Sequence, residues 1–204
     1  MPISFAVYQM RIAQEHDMIA SIYTDLNDPD AFCSGYIECV TSKHVLLAAL
    51  TPWGYRDGWL LWRVTDVQQV FTGDEYEARL EILAKLRNVS RDKLLDLSHA
   101  ASASKGAVDV LHEMLSHAMN ERKTVTVIVG AETYTGKIIA MDDLRVSIDS
   151  FDFFGTRDNH ATLIPLRDIE QVMLGTEEEK MFDLLAANAA KLSDGHLPPL
   201  QPVR

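Results

Sequence analysis

The sequence predicts an α+β protein that consists of two small five-stranded antiparallel β-barrels with connecting and flanking helices. Three observations lead to this fold: an internal repeat, short alternating strands separated by turns, and amphipathic helices with capping residues. The chain of 204 residues is long enough for two such units. Its 47% hydrophobic and 24% charged residues are typical of a folded globular protein.

The repeat appears when the chain is aligned with itself. Residues 34–58 lie without a gap on residues 135–159, and residues 65–83 lie on residues 167–185 after one inserted residue. The identical pairs fall on turns and on alternating apolar positions, and they include Gly35/Gly136, Ile37/Ile138, Val45/Val146, Gly54/Gly155, Arg56/Arg157, Asp57/Asp158, Val70/Val172 and Glu77/Glu179. The chain is therefore predicted to be a tandem duplication of one small module.

Each copy is predicted to contain five short strands. β-Branched and alternating apolar residues, separated by Gly and Asp turns, mark these strands in the second copy. They cover residues 124–129, 134–140, 145–151, 161–166 and 169–172. Five short strands with a turn every few residues favour a small, strongly bent barrel.

Helices are predicted before and after the strands of each copy. Asp74-x-x-Glu77 and Thr176-x-x-Glu179 both have the spacing of a capping box, which begins a helix. Helical patterns also cover residues 5–16, 90–103 and 106–122, and Ser90 is the expected cap of the second of these. A helix, five strands and a helix therefore form the predicted unit.

The predicted organisation has three parts. A first barrel with its following helices covers residues 1–104, a helix with the second barrel and its helix covers 105–192, and a flexible proline-rich tail covers 193–204. Only two cysteines and no leader-like start favour a reducing cytoplasm. No apolar run reaches the roughly 18 residues of a membrane span, so we expect no membrane contact.

Composition and spacing argue against several function classes. Net charge is −11, and all four segments obtained by cutting after residues 73, 122 and 175 are acidic, which disfavours nucleic-acid binding. His112 and His117 are five residues apart and diverge on a helix, so they do not form a zinc-protease motif. The paired carboxylates fall in turns or at helix starts. We therefore predict no enzyme, no cofactor and no metal.

The turn that both copies share is the strongest candidate for a binding surface. It presents Trp53, Tyr55 and Arg56 in the first copy, and Phe154 and Arg157 in the second. An aromatic ring with a nearby guanidinium is a common protein-contact pair. The alternative is a purely structural turn, in which the arginine pairs locally and the following Asp closes the turn.

The strand and turn pattern of TVTVIVGAETYTGKIIAMDDLRVSID, followed by ATLIPLRDIEQV, resembles the Sm-like fold, an SH3-like barrel that includes the Hfq family. The resemblance implies rings and RNA binding through the turn after the second strand and a basic signature before the last strand. The asparagine expected in that first turn is replaced by Val45 and Val146. The cations that remain near these positions are Lys43, His44, Arg145 and Arg167.

These observations lead to one leading hypothesis and two alternatives. We predict a non-enzymatic cytoplasmic interaction or assembly module that binds a protein partner or associates with itself. The first alternative is an RNA-binding regulator of the Sm-like class, which uses the four cations named above. The second is an enzyme whose site forms at an interface and is not visible in the sequence.

Overall fold

The protein is described by a computed structural model over residues 4–28, 31–95, 109–151 and 157–193. The first copy runs from α1 to α2 and the second from α3 to α4. The helices are α1 (Phe5–Glu15), α2 (Glu75–Leu86), α3 (Val110–Asn120) and α4 (Glu177–Ser193). The strands are β1 (Ile19–Tyr23), β2 (Phe32–Val40), β3 (His44–Leu50), β4 (Arg56–Arg63), β5 (Gln69–Thr72), β6 (Thr124–Val129), β7 (Glu132–Met141), β8 (Arg145–Phe151), β9 (Arg157–Pro165) and β10 (Gln171–Leu174).

The ten strands form one open antiparallel sheet in the order β5-β1-β2-β3-β4-β10-β6-β7-β8-β9. The α+β class is confirmed, but the prediction of two separate five-stranded barrels is wrong. Each copy contributes five adjacent strands, and in each the last strand lies beside the first. The copies meet where β4 pairs with β10, with Leu61 opposite Val172. We call this pairing the joint.

The first copy does not close on itself because β4 is apolar on both faces. Side chains alternate between the two faces of a strand, so Leu60 and Leu61 point in opposite directions. Leu60 is buried in the core of the first copy, whereas Leu61 is buried with Leu111 of α3 in the core of the second. β4 is therefore buried on both faces because it lies where the cores of the two copies meet.

Both copies share the same local irregularities. β2 and β7 each contain a register shift at equivalent positions, which bends the sheet. A Cβ on Gly35 would collide with the carbonyl oxygen of Ala48, and a Cβ on Gly136 would collide with that of Asp149. The duplication seen in the sequence is therefore a duplication of backbone geometry. Gly35 and Gly136 are identical because at each position the backbone of the neighbouring strand leaves no room for a side chain.

Of the helices that precede the strands, α1 begins at Phe5 as predicted, whereas α3 begins at Val110 and not at residue 106; residues 106–108 lie outside the described residues. Ser4 Oγ accepts from the backbone N–H of Val7 at the start of α1, and Asp109 Oδ1 accepts from that of His112 at the start of α3. Helix α1 packs on β2 and β5, and α3 packs on β7 and reaches across to β3. Helix α3 therefore covers the joint as well as its own copy.

The helix predicted over residues 90–103 is wrong in its described part. Residues 90–95 are not helical, and residues 96–103 lie outside the described residues. Leu94 and Leu95 are buried, and the backbone N–H of Leu94 donates to Glu38 Oε2 at 3.0 Å. A side-chain carboxylate thus satisfies a donor that a helix would have used. The proline-rich tail also lies outside the described residues, apart from Ser193.

Candidate functional site

The shared turn leads into β4 in the first copy. Trp53 and Tyr55 are 70% and 53% exposed. Arg56 instead turns toward the sheet, where its Nη2 lies 3.5 Å from Glu38 Oε1 and its guanidinium lies 4.5 Å from the ring centroid of Trp59. Burial lowers the pKa of Arg56, and the Glu38 carboxylate opposes this shift. Arg56 therefore makes an internal contact, while the two aromatic rings face solvent.

Glu38 explains why Arg56 turns inward. One of its oxygens accepts from Trp59 Nε1 at 2.8 Å and faces Arg56, and the other accepts from the N–H of Leu94 at 3.0 Å. A cavity of 390 Å³ beside it is lined by both acidic and basic side chains, including Arg91. Because Glu38 is already fully engaged, its role is to fasten residues 91–95 to the sheet.

The exposed aromatic pair is held by the C-terminal end of α2. Arg87 Nε donates to the carbonyl oxygen of Trp53 at 2.7 Å, and the Arg87 guanidinium lies 4.1 Å from the centroid of the Tyr55 ring. In the second copy, Phe154 lies outside the described residues and Arg157 is the first residue of β9. Partner binding by these turns stays a prediction.

The four cations of the RNA alternative meet at the joint. Lys43 and His44 from the first copy, with Arg145 and Arg167 from the second, line one cavity of about 730 Å³. Arg63 also lines it, and sequence reasoning did not select this residue. We call this cavity the joint pocket. No spacing in the sequence reveals it, because strand pairing between the copies creates it.

The joint pocket carries a local positive surplus in an acidic chain. Its lining holds four lysine or arginine side chains and two acidic ones, Asp109 and Asp143. Arg63 Nη2 donates to the carbonyl oxygen of Arg167 at 2.6 Å, which fastens the two copies together. Arg145 Nη2 lies 3.5 Å from a carboxylate oxygen of Asp142. The pocket therefore presents guanidinium and ammonium groups to a shared space.

His44 is the buried member of the joint pocket. Burial lowers the pKa of its imidazole; the Asp109 carboxylate opposes that effect, and the positive charges of Lys43 and Arg63 add to it. Its backbone N–H donates to Thr41 Oγ1 at 2.8 Å, which closes the turn between β2 and β3. At neutral pH the imidazole is therefore uncharged, and the other four basic residues supply the positive charge.

The sequence predicts Glu77 and Glu179 only as helix-capping residues, but both carboxylates are buried. In the first copy, Ser21 Oγ donates to Glu77 Oε1 and lies 2.7 Å from Ser34 Oγ. In the second, Thr126 Oγ1 donates to Glu179 Oε1 at 2.6 Å. The occurrence of glutamate at both equivalent positions was the available sequence signal for this role. The burial of the two carboxylates was not predictable, because it depends on the sheet beneath the helices. These acids tie the following helix to the first strand of each copy.

The capping boxes of the two copies differ. The backbone N–H and the hydroxyl of Thr176 donate to Glu179 Oε2 at 2.8 and 2.6 Å, which is the half of the predicted box in which the glutamate accepts from the capping residue. Before α2, Asp74 makes no side-chain capping bond, and Glu77 Oε2 is buried with no hydrogen-bond partner among the described residues. Helix α2 therefore begins after Asp74 as predicted, but the predicted side-chain bonds are not formed: Asp74 accepts no backbone N–H, and its carboxylate has no hydroxyl with which to donate to Glu77.

The sheet has two outer edges, β5 and β9. Leu163 on β9 is 57% exposed, whereas Leu61, its equivalent on β4, is 1% exposed. Beside β5 runs a groove of 370 Å³, lined by Phe5 of α1 and by residues 67–71. Phe5 is 73% exposed. Each outer edge therefore shows an apolar side chain next to a strand that pairs on one side only among the described residues.

The aspartate of the shared turn has a role at the joint. The backbone N–H of Glu177, in the first turn of α4, donates to Asp57 Oδ1 at 3.0 Å. Asp57 belongs to the first copy and α4 to the second, so the turn of one copy caps the helix of the other. This contact gives a physical reason for the aspartate of that turn.

Among the described residues, no group of three or more His, Cys, Asp or Glu side chains is placed to hold a metal ion. Within the same part of the chain, no helix has the length and apolar character needed to cross a membrane. Comparison of the chain with protein families, with curated proteins and with solved structures finds no match. Function is therefore inferred from the geometry of the joint and of the outer edges.

Proposed function

We propose that the protein is a non-enzymatic interaction and assembly module that binds protein partners through the outer edges of its sheet. The observation that carries this proposal is the contrast between the joint and the edges: the same strand position is buried at Leu61 and exposed at Leu163. The two partly buried cysteines are both free, which supports a place in the reducing cytoplasm.

The composition of the edges supports this function. A free strand edge attracts other strands, and proteins usually protect such edges with charged residues, bulges or covering loops. Strand β5 (Gln69–Thr72) contains no charged residue, and residues 161–164 of β9 are also uncharged. Backbone donors and acceptors at such an edge favour addition of a strand from a partner.

The test compares edge variants with matched controls. Leu163→Asp and Phe5→Glu place a charge at β9 and beside β5, whereas Leu184→Asp and Ile82→Glu place the same charges on exposed residues of α4 and α2 that do not line the groove beside β5. Immobilised proteins are incubated with extract of the source cell. We expect a partner that the wild type and both controls retain, and that the edge variants lose by at least about tenfold. Equal retention by all five proteins would overturn the proposal.

A second candidate function, RNA binding in the manner of the Sm-like class, is favoured by the joint pocket. The supporting observation is the convergence of Lys43, Arg63, Arg145 and Arg167 around one cavity of about 730 Å³. Clustered cations neutralise phosphates, and this local cluster contrasts with the net charge of −11. The Sm-like resemblance of the repeat points to the same turns.

This candidate is tested by fluorescence anisotropy with uridine-rich and adenine-rich oligomers at about 50 and about 200 mM salt. The double variant Lys43→Ala/Arg145→Ala removes two cations of the joint pocket, and Lys85→Ala/Lys180→Ala removes two exposed cations from helices. RNA binding at the pocket predicts salt-sensitive affinity that only the first variant loses. No binding at the lower salt concentration would exclude this candidate.

A further inference from the structure

We infer that a cavity of the first copy binds a small organic molecule that carries a single carboxylate group. This cavity of 390 Å³ lies between the C-terminal end of α1, strand β2 and residues 91–93, and we call it the α1 pocket. Among the described residues, none that lines it also lines the joint pocket or the groove beside β5, so the inference goes beyond the proposed function. Its volume lies within the range of about 300 to 1,000 Å³ that is common for small-molecule sites.

Arg56 supplies the group that a carboxylate would bind. A guanidinium has several N–H donors, but the described residues give this side chain a single hydrogen-bonding partner. That partner is Glu38 Oε1, which lies 3.5 Å from Arg56 Nη2, at the long limit of a hydrogen bond. The Arg56 side chain is 22% exposed and lines the α1 pocket. Most of its donors are therefore left for a ligand in this pocket.

Glu38 is held in a position from which it does not satisfy Arg56. Its Oε1 accepts from Trp59 Nε1 at 2.8 Å, and its Oε2 accepts from the N–H of Leu94 at 3.0 Å. These two shorter bonds fix the carboxylate, and its contact with Arg56 stays long and single. Burial lowers the pKa of Arg56 although Glu38 opposes this shift, so more negative charge nearby would stabilise the guanidinium. A ligand carboxylate supplies that charge and can bind the guanidinium at two points.

The charges of the α1 pocket favour one carboxylate over a polyanion. Among the described residues, its lining holds four basic and three acidic side chains. Two of the acids are already paired with arginines, as Asp17 is with Arg91. The other charged residues of the lining are Arg11, Lys93 and Glu15, so one positive charge is left over. A monocarboxylate neutralises this surplus, whereas a phosphate dianion would be repelled by the carboxylates of the lining.

The walls of the α1 pocket suit an apolar or aromatic body on the ligand. Ile37 and Ala48 line it, and both are buried. The Tyr36 ring is also part of the lining, and the Arg91 guanidinium lies 3.8 Å from the centroid of this ring. Because Arg91 is itself held by Asp17, this wall is formed before a ligand binds. Apolar walls with a few fixed polar groups are typical of a small-molecule site.

The second copy does not repeat this arrangement in its described residues. The position of Glu38 is taken by Ile139, whose side chain is 56% exposed. The position of Tyr36 is taken by Lys137, which pairs with Asp183 of α4. The shared turn has its arginine in both copies, but the glutamate beside that arginine is found only in the first. We therefore expect one ligand per chain.

Nuclear magnetic resonance titration of the full chain with a panel of small monocarboxylates, from acetate to 3-phenylpropionate, tests this inference. Each carboxylate is compared with its neutral amide, and phenyl phosphate is the dianionic probe. We expect at least one carboxylate to bind with a dissociation constant below about 5 mM, and at least about tenfold more tightly than its amide and phenyl phosphate. A panel without such a carboxylate would overturn the inference.

Three variants show whether the α1 pocket is the site. Arg56→Lys keeps the charge but loses the forked donors, and Lys93→Gln removes an exposed cation of the lining. Lys85→Gln is the control, because it removes an exposed cation of α2 that does not line the pocket. We expect carboxylate binding to weaken by at least about tenfold in the first variant, by about threefold in the second, and not at all in the control.

Urea midpoints of the three variants separate lost binding from lost folding. Lys93 is exposed, so Lys93→Gln still reports on the pocket if Arg56→Lys proves unstable. Unchanged carboxylate affinity in both pocket variants would overturn the inference. That outcome would leave the proposed function at the outer edges standing, since neither variant alters β5 or β9.

Discussion

Strands β4 and β9 are the same element of the repeat in two different surroundings. Leu61 on β4 is 1% exposed because β10 pairs beside it and α3 covers it, whereas Leu163 on β9 is 57% exposed. The local backbone is equivalent, since both strands pair with the preceding strand around an equivalent register shift. The difference shows that the neighbouring copy, and not the strand itself, buries this position.

Truncating the two equivalent leucines gives the largest expected difference. Leu61→Ala removes a fully buried side chain and should lower the free energy of unfolding by about 2 to 5 kcal/mol. Leu163→Ala should change it by no more than about 0.5 kcal/mol in the monomer, because the side chain is mostly exposed. Urea unfolding at a low protein concentration measures both. Similar losses for the two variants would contradict the assignment of β9 as a free edge.

Much of the fold was predictable because local patterns determine it. The strands and helices of the repeat follow from alternating apolar residues, turn residues and helix caps. Gly35 and Gly136 mark equivalent positions at which neighbouring strands approach closely. The joint was not predicted, although Leu60 and Leu61 contained a signal for it. Two adjacent apolar residues in a strand indicate burial on both faces, and a strand in a separate small barrel has only one buried face.

The candidate site was less predictable than the fold because it depends on pairing between the copies. Lys43 and Arg167 are far apart in the sequence, and only the β4–β10 pairing brings them to one cavity. A charge count by segment averages over such convergence and therefore shows only the acidic background. The position of Arg56 was also not predictable from its local sequence. The turn predicted its guanidinium at a binding surface, but the side chain turns inward toward Glu38, which lies in another strand.

Exchanging the capping residues sharpens the comparison of the two copies. Asp74→Thr supplies the hydroxyl that Glu77 Oε2 lacks, and we expect the free energy of unfolding to rise by about 1 kcal/mol. Thr176→Asp removes the hydroxyl that donates to Glu179 and should lower it by about 1 to 3 kcal/mol. Thermal unfolding measures both changes. A loss of stability in Asp74→Thr would show that Glu77 is satisfied in another way.

Removing the aspartate of the shared turn tests the cap across the joint. Asp57→Ala leaves the first N–H of α4 without its partner and should lower the free energy of unfolding by about 1 kcal/mol. Chemical unfolding measures the loss. An unchanged free energy of unfolding would show that this contact does not stabilise the joint.

A pH-dependent effect on stability is expected for His44, whose equivalent in the second copy is Arg145. The folded pKa of His44 lies below 6.5, so below that pH the unfolded chain binds the proton more readily than the folded chain. The free energy of unfolding therefore falls as the pH is lowered from about 7 toward 5, by at most about 1.4 kcal/mol per pH unit for one group. His44→Gln should reduce the slope in urea unfolding curves, and an unchanged slope would assign the pH dependence to other groups.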